Sequence, residues 1–233
     1  MTADVPVIRA VVFDCDGLMF NTEEVFSRSG EELLRRRGHR WTDELRQQMM
    51  GRRAAEAISA MIEMHSLNDS VEELLEESES IFASYLPDML APMPGLFELL
   101  EHVEAHGIPK AVATSSHRNY LTDLLQRFDL THRFQTTLTA EDVSRGKPHP
   151  EIYLTAAERL GVAPHEMLVL EDSGAGTRAA ADAGAYIVSV PHEFSRSQDF
   201  SPARYIAQRL DEPFVLELIR QIEVQPSETS LLD

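Results

Sequence analysis

The sequence predicts an α/β fold: a parallel sheet core with helices on both faces and a small all-α domain inserted after the first strand. Three observations predict it. A short apolar run, Val11-Val12-Phe13, leads directly into Asp14-Cys15-Asp16-Gly17. From about Glu23 to Leu90 the apolar residues recur only at helical spacing. From Leu96 onward helix-like and strand-like runs alternate, the mark of parallel strands joined by helical crossovers.

In chain order, Val7 to Phe13 reads as a strand that delivers Asp14 and Asp16 to its C-terminal tip. Open α/β sheets bind ligands at that end. Leu33-Leu34, Ile58, Met61-Ile62, Leu74-Leu75 and Ile81-Phe82 then mark about four helices, punctuated by Gly38, Gly51 and the Ser66–Ser70 stretch. Pro92-Met93-Pro94-Gly95 is a hard break. Beyond it come a helix over Leu96–His106 with Gly107 behind it, a strand over Ile108–Ala113, a helix over Asn119–Phe128 and a strand over Phe134–Leu138. A helix near Glu151–Leu160 ending at Gly161, a strand at Met167–Leu170, a helix at Gly176–Ala183 ending at Gly184 and a strand at Tyr186–Val190 complete the alternation. This is a Rossmann-like core, residues 1–20 and 92–233, with a helical cap over 21–91. Leu18–Thr22 and Asp88–Pro94 are the expected hinges, and the last ten residues, rich in Ser, Glu and Pro, read as a loose tail.

Composition narrows the partners. The 43% hydrophobic content of the 233 residues supports a real core, and no stretch approaches a membrane span. The start, Met1-Thr2-Ala3-Asp4, lacks the basic end and apolar stretch of a signal peptide. Cys15 is the only cysteine, so the expected setting is reducing and cytoplasmic, and two flanking carboxylates assign it to packing rather than chemistry. A net charge of −18 argues against nucleic acid and anionic membranes. An anionic ligand would therefore have to be received by local cations.

Four signatures carry the chemistry. A carboxylate at a strand tip, as Asp14 is, can serve as metal ligand, base or nucleophile, and beside Asp16 the roles can divide. Glu171-Asp172 follows the apolar run Met167–Leu170 and so reaches a second strand tip. Hard carboxylate oxygens from two tips suit Mg²⁺, while a capping pair for the next helix is the plain alternative. Thr114-Ser115-Ser116 sits where a strand gives way to a helix, a junction that binds phosphate oxygens or simply caps the helix. Lys147 lies between Gly146 and Pro148 in a loop stiffened by Pro148 and Pro150, which can aim the ammonium inward or leave it in solvent.

In order and context these runs resemble the four motifs of the haloacid dehalogenase superfamily, in the branch with a small helical cap between the first two motifs. The resemblance spans about Val7 to Val190. It implies that Asp14 is a nucleophile that becomes an aspartyl-phosphate, and that Asp16 is the general acid and base, its backbone carbonyl also meeting Mg²⁺. It implies that Thr114, Ser115 and Lys147 hold the transferring phosphoryl group, with Asp14, Asp16, Glu171 and Asp172 forming the metal site. A second aspartate also implies phosphate esters, because an alcohol leaving group needs a proton whereas halide does not.

Substrate choice falls to the cap. Arg52 and Arg53, at a helix start, are the expected cap contacts, with a solvated basic turn as the alternative. His117 and Arg118 are either further contacts or a solvated helix start. In combination, Met49–Ala57, Met93-Pro94-Gly95 and His106-Gly107-Ile108-Pro109 through Ser116 look most like pseudouridine-5′-phosphatases, with β-phosphoglucomutases nearly as similar, a resemblance that implies a small phosphorylated metabolite as the partner and a monomer as the expected state. Those mutases resemble one another in a cap-entry histidine ten residues after the second aspartate; here that position holds Phe26, which favours a phosphatase over a mutase. A non-catalytic binding module is the third reading, and the complete motif set counts against it.

Overall fold

The computed structural model describes residues 7–49 and 54–220. The expected cap contacts Arg52 and Arg53 and the expected loose tail lie outside them. The chain divides into two compact units, one of residues Met1–Met19 with Met93–Asp233 and the other of Phe20–Pro92.

Strand β1 (Ala10–Phe13) is buried along its whole length. The second unit follows as four helices: α1 (Thr22–Arg35), α2 (Asp43–Met49), α3 (Ala54–His65) and α4 (Val71–Met89). Its core is the apolar stripe that the spacing predicts, with Leu33, Leu34, Leu45, Ile58, Met61, Leu74 and Ile81 packed together. Ser70 and Glu73 form a reciprocal cap that starts α4. At the unit's two ends Asn21 clamps entry to exit: its Oδ1 accepts from Ala91 N at 2.7 Å and its Nδ2 donates to Met89 O at 3.1 Å.

The first unit resumes with α5 (Leu96–Ala105), β2 (Lys110–Ala113), α6 (Arg118–Arg127), β3 (Thr136–Leu138), α7 (Glu151–Leu160), β4 (Met167–Glu171), α8 (Gly174–Ala183) and β5 (Tyr186–Ser189). A two-residue strand β6 (Tyr205–Ile206) and a helix α9 (Pro213–Arg220) follow, neither of which the sequence pattern announces. All six strands are parallel, in the order β3-β2-β1-β4-β5-β6. The chain therefore steps one way from β1 to β3 and the other way from β4 to β6. Right-handed crossovers then put α6 on one face and α7 and α8 on the other. The packing agrees: Val12, Ala111, Ala113, Val169 and Ile187 share one cluster with Ile152, Tyr153, Ala156, Ala179 and Ala180. Val11, Phe13, Val112, Leu168 and Leu170 alternate with them along the strands and are equally buried, so both faces are covered. The sheet thus has the predicted architecture, with four strands trimmed by one to three residues and β4 extended by one, to Glu171. Its direction reverses between β1 and β4, and the crevice at their C-terminal ends is where ligands bind such sheets. No helix among the described residues is long and apolar enough to cross a membrane.

Candidate active site

Register brings the separated signatures together. Phe13 pairs with Val112 of β2 and with Leu170 of β4, so the next residues, Asp14, Ala113-Thr114 and Glu171-Asp172, leave the sheet side by side. Asp14 is 7% exposed, and its backbone N–H donates to Leu170 O at 3.0 Å.

Lys147 joins them from the loop before α7. Its ammonium places all three N–H donors: on Asp14 Oδ1 at 2.5 Å, on Glu171 Oε1 at 2.7 Å and on Ala113 O at 3.0 Å. The buried Tyr153 of α7 donates its hydroxyl to Glu171 Oε1 at 2.7 Å, and its ring lies 5.1 Å from the ammonium. Glu171 Oε2 accepts from the backbone N–H and the hydroxyl of Ser173, at 3.1 and 2.9 Å. Each oxygen of this fully buried carboxylate thus accepts two donors. Ser173 also caps α8 by accepting from Gly176 N at 3.1 Å, so the serine, not the alternative pair Glu171 and Asp172, performs the capping.

The electrostatics follow from this crowding. Burial opposes the charge on Lys147, but Asp14 and Glu171 outweigh it and hold the ammonium well above its usual pKa. Burial likewise works against the Glu171 carboxylate; Lys147 and then the Tyr153 and Ser173 hydrogen bonds outweigh it and keep the pKa below the usual value. Asp14 goes the other way. Burial raises it, Lys147 opposes, and Glu171, Asp172 and Asp16 raise it further, leaving it well above the carboxylate range. Burial, then Asp16 and Asp14, push the Cys15 thiol up, which fits a packing residue.

Asp16 faces different partners. Its Oδ2 accepts from Ser116 Oγ at 2.7 Å and Thr114 Oγ1 at 3.2 Å, and its Oδ1 from Tyr120 OH at 2.9 Å. Ser115 is exposed; it is Ser116 that turns inward, with its backbone N–H donating to Thr114 Oγ1 at 3.0 Å. His117 and Arg118 are tied to Glu141 and Asp142 on the surface, the solvated-helix-start alternative. Tyr120 escapes sequence reading because a tyrosine in a helix's first turn is unremarkable, and Ser116, read only as part of the phosphate-binding or capping junction, gives no sign that it donates to Asp16. His192 escapes it too: its Nε2 lies 2.8 Å from Asp172 Oδ2.

Among the described residues, Asp14, Glu171 and Asp172 each bring a carboxylate oxygen within 4.8 Å of the others, all buried. This donor set fits a hard divalent cation such as Mg²⁺, which would offset both the burial of Asp14 and the like charges of Glu171, Asp172 and Asp16 that together raise its pKa. Asp14 and Asp172 suit direct ligation, because Glu171 is already committed to Lys147, Tyr153 and Ser173. The Asp16 carboxylate lies outside this trio.

Comparison with known proteins identifies the family. The family model of the haloacid dehalogenase-like hydrolases matches residues 11–190. A phosphorylated carbohydrates phosphatase from Thermotoga maritima is 34% identical over 181 residues, covering 76% of this chain and 82% of the relative. A Drosophila melanogaster protein described as a probable pseudouridine-5′-phosphatase is 34% identical over 198 residues, covering 79% and 84%. The crystal structure of CbbY from Rhodobacter sphaeroides in complex with phosphate superposes with a TM-score of 0.75 at 27% identity, covering 88% of this chain and 96% of that one. The chain belongs to the haloacid dehalogenase-like hydrolases.

Proposed function

We propose that the enzyme is a Mg²⁺-dependent phosphatase that hydrolyses small phosphate monoesters, sugar or nucleoside phosphates, through an aspartyl-phosphate on Asp14. The observation that carries this reading is the division of labour between two carboxylates at one strand tip: Asp14 paired with Lys147, Asp16 held by three hydroxyls. Asp14 attacks phosphorus while the bond to the ester oxygen breaks, and Asp16 gives that oxygen its proton. Asp16 then takes a proton from the water that attacks the aspartyl-phosphate, returning Asp14 and releasing phosphate. Lys147 and the Thr114 hydroxyl, with Ser115 just beyond β2, hold the phosphoryl oxygens. Asp14 and Asp172, with the Asp16 backbone carbonyl, would hold Mg²⁺, which would supply positive charge against the transferring group.

The four-helix unit serves in this reading as the cap that selects the rest of the substrate, with Arg52 and Arg53 as its contacts. Its Phe26 is 45% exposed and stacks on Phe82 with ring centroids 4.2 Å apart. An apolar ring there cannot relay a hydrogen bond, so nothing at this position delays hydrolysis of the phosphoenzyme as a mutase requires. The proposed setting is cytoplasmic and the proposed state monomeric. The test is a screen for phosphate release from sugar, nucleoside and polyol phosphates with Mg²⁺, alongside β-glucose 1-phosphate with a bisphosphate primer. Steady phosphate release without glucose 6-phosphate is expected. Primer-dependent isomerisation that outruns phosphate release would establish the mutase instead.

A further inference from the structure

Asp172 is gripped from a segment that none of the four signatures includes. After β5 the chain turns at Pro191, and His192 reaches back with its side chain 12% exposed, beside an Asp172 carboxylate that is 7% exposed. Phe194 N donates to His192 Nδ1 at 3.2 Å, so Nδ1 is the acceptor nitrogen, and Nε2 carries the hydrogen directed at Asp172 Oδ2, 2.8 Å away. The turn is itself fixed: His192 N donates to the buried Ser195 Oγ at 3.1 Å, and Ser195 N and Arg196 N return to His192 O, each at 3.1 Å. A third segment closes the pair. A Cβ on Gly17 would lie 2.5 Å from Asp172 Oδ2 and 2.6 Å from His192 Nε2, so only glycine fits there, and its φ of +78° is one that glycine adopts without strain. Three stretches of chain are thus built around one N–H···O contact.

We propose that His192 is a positioning residue that restricts Asp172 to ligation through one oxygen, and that this makes the site select Mg²⁺ over Ca²⁺. The inference rests on the proposed metal site. An N–H donor on Oδ2 competes with any second metal bond from the same carboxylate. Ca²⁺ favours two-oxygen carboxylate ligation and six to eight ligands, whereas the smaller Mg²⁺ takes six in a strict octahedron. Removing such a supporting donor lowers metal affinity by about 10- to 100-fold.

The experiment measures binding, not turnover. Mg²⁺ and Ca²⁺ are titrated calorimetrically into metal-stripped full-length protein, and the binding lost in Asp172→Asn defines the site. His192→Leu should weaken Mg²⁺ by at least about tenfold while weakening Ca²⁺ less or strengthening it. His192→Asn, which keeps an N–H donor, should recover part of the preference, with melting curves confirming that both variants fold. Equal loss of the two ions, no loss, or no Asp172-dependent binding in the wild type would each overturn the proposal. A wild type that binds Mg²⁺ selectively but releases phosphate from no ester would refute the phosphatase reading and leave the role of His192 standing.

Discussion

Gly176→Ala sets two magnitudes against each other in a single methyl group. Gly176 lies in α8, where alanine is favoured over glycine by about 1 kcal/mol, so propensity alone predicts a more stable protein. The added Cβ, however, would lie 1.6 Å from Glu171 Oε1 and 1.9 Å from its Cδ. Such a clash is cheap when a side chain can swing into solvent, but Glu171 is 0% exposed. Moving it breaks at least the two hydrogen bonds on Oε1, from Lys147 and Tyr153, both 2.7 Å. Hydrogen bonds to a charged group contribute about 1.5–3 kcal/mol each, so the loss is about 3–6 kcal/mol and the net destabilisation about 2–5 kcal/mol. For a chain of this size that corresponds to a fall in Tm of roughly 4–20 °C. Phosphate release should fall with it, because Lys147 loses one of its two carboxylate anchors. The assay is a thermal melt by circular dichroism with phosphate release in parallel. An unchanged or raised Tm would show that Glu171 does not hold its place against Gly176, and would remove the argument that Glu171 anchors Lys147.

Three further outcomes follow from the same geometry. Asp14→Asn should lower turnover by about 10⁴-fold or more, as for other nucleophiles that act as a unit with their partners, and without divalent cation it should melt no lower than wild type because a crowded buried charge is gone; retention of a tenth of the rate would refute the nucleophile assignment. Asp16→Asn should cripple alkyl phosphates more than aryl phosphates in the first step, since a phenolate leaves without a proton; burst-phase rates on the two substrate types decide it, and equal losses would remove the acid role. Asp142 concerns stability. Burial raises its pKa, but Arg159 and Thr139 outweigh this and bring it to about 2, so its contribution is complete above the unfolded value of about 3.9 and is lost as pH falls through about 2. Asp142→Asn should therefore lower Tm at pH 7 by roughly 2–4 °C, after discounting for solvent screening of its partly exposed arginine partners, and the gap should close between about pH 4 and 2; a gap that is constant with pH would refute it.

What the sequence by itself determined lies within single elements. Val11-Val12-Phe13 and Met167–Leu170 are uniform apolar runs because parallel strands buried on both faces need apolar residues at every position, and that signal is local. The helical spacing between Glu23 and Leu90 is local for the same reason, and so is the ordered set of chemical signatures. Strand β6 has two residues and no period to read, and α9 follows it on the far side of an irregular stretch, so both emerge only in the folded chain.

Tertiary structure alone decided which side chains share a charge or a proton. The cluster joins residues far apart in sequence: Lys147 meets Asp14 across 133 positions, Tyr120 meets Asp16 across 104, and His192 meets Asp172 across 20. Periodicity carries no information at such separations. Whether Ser115 or Ser116 turns inward depends on backbone direction at the end of β2, where neighbouring residues point opposite ways and no composition signal distinguishes them. That Glu171 anchors a lysine while Asp172, its neighbour, meets His192 follows from what the fold has placed beside each: Lys147 and Tyr153 reach one carboxylate, and the turn after β5 reaches the other.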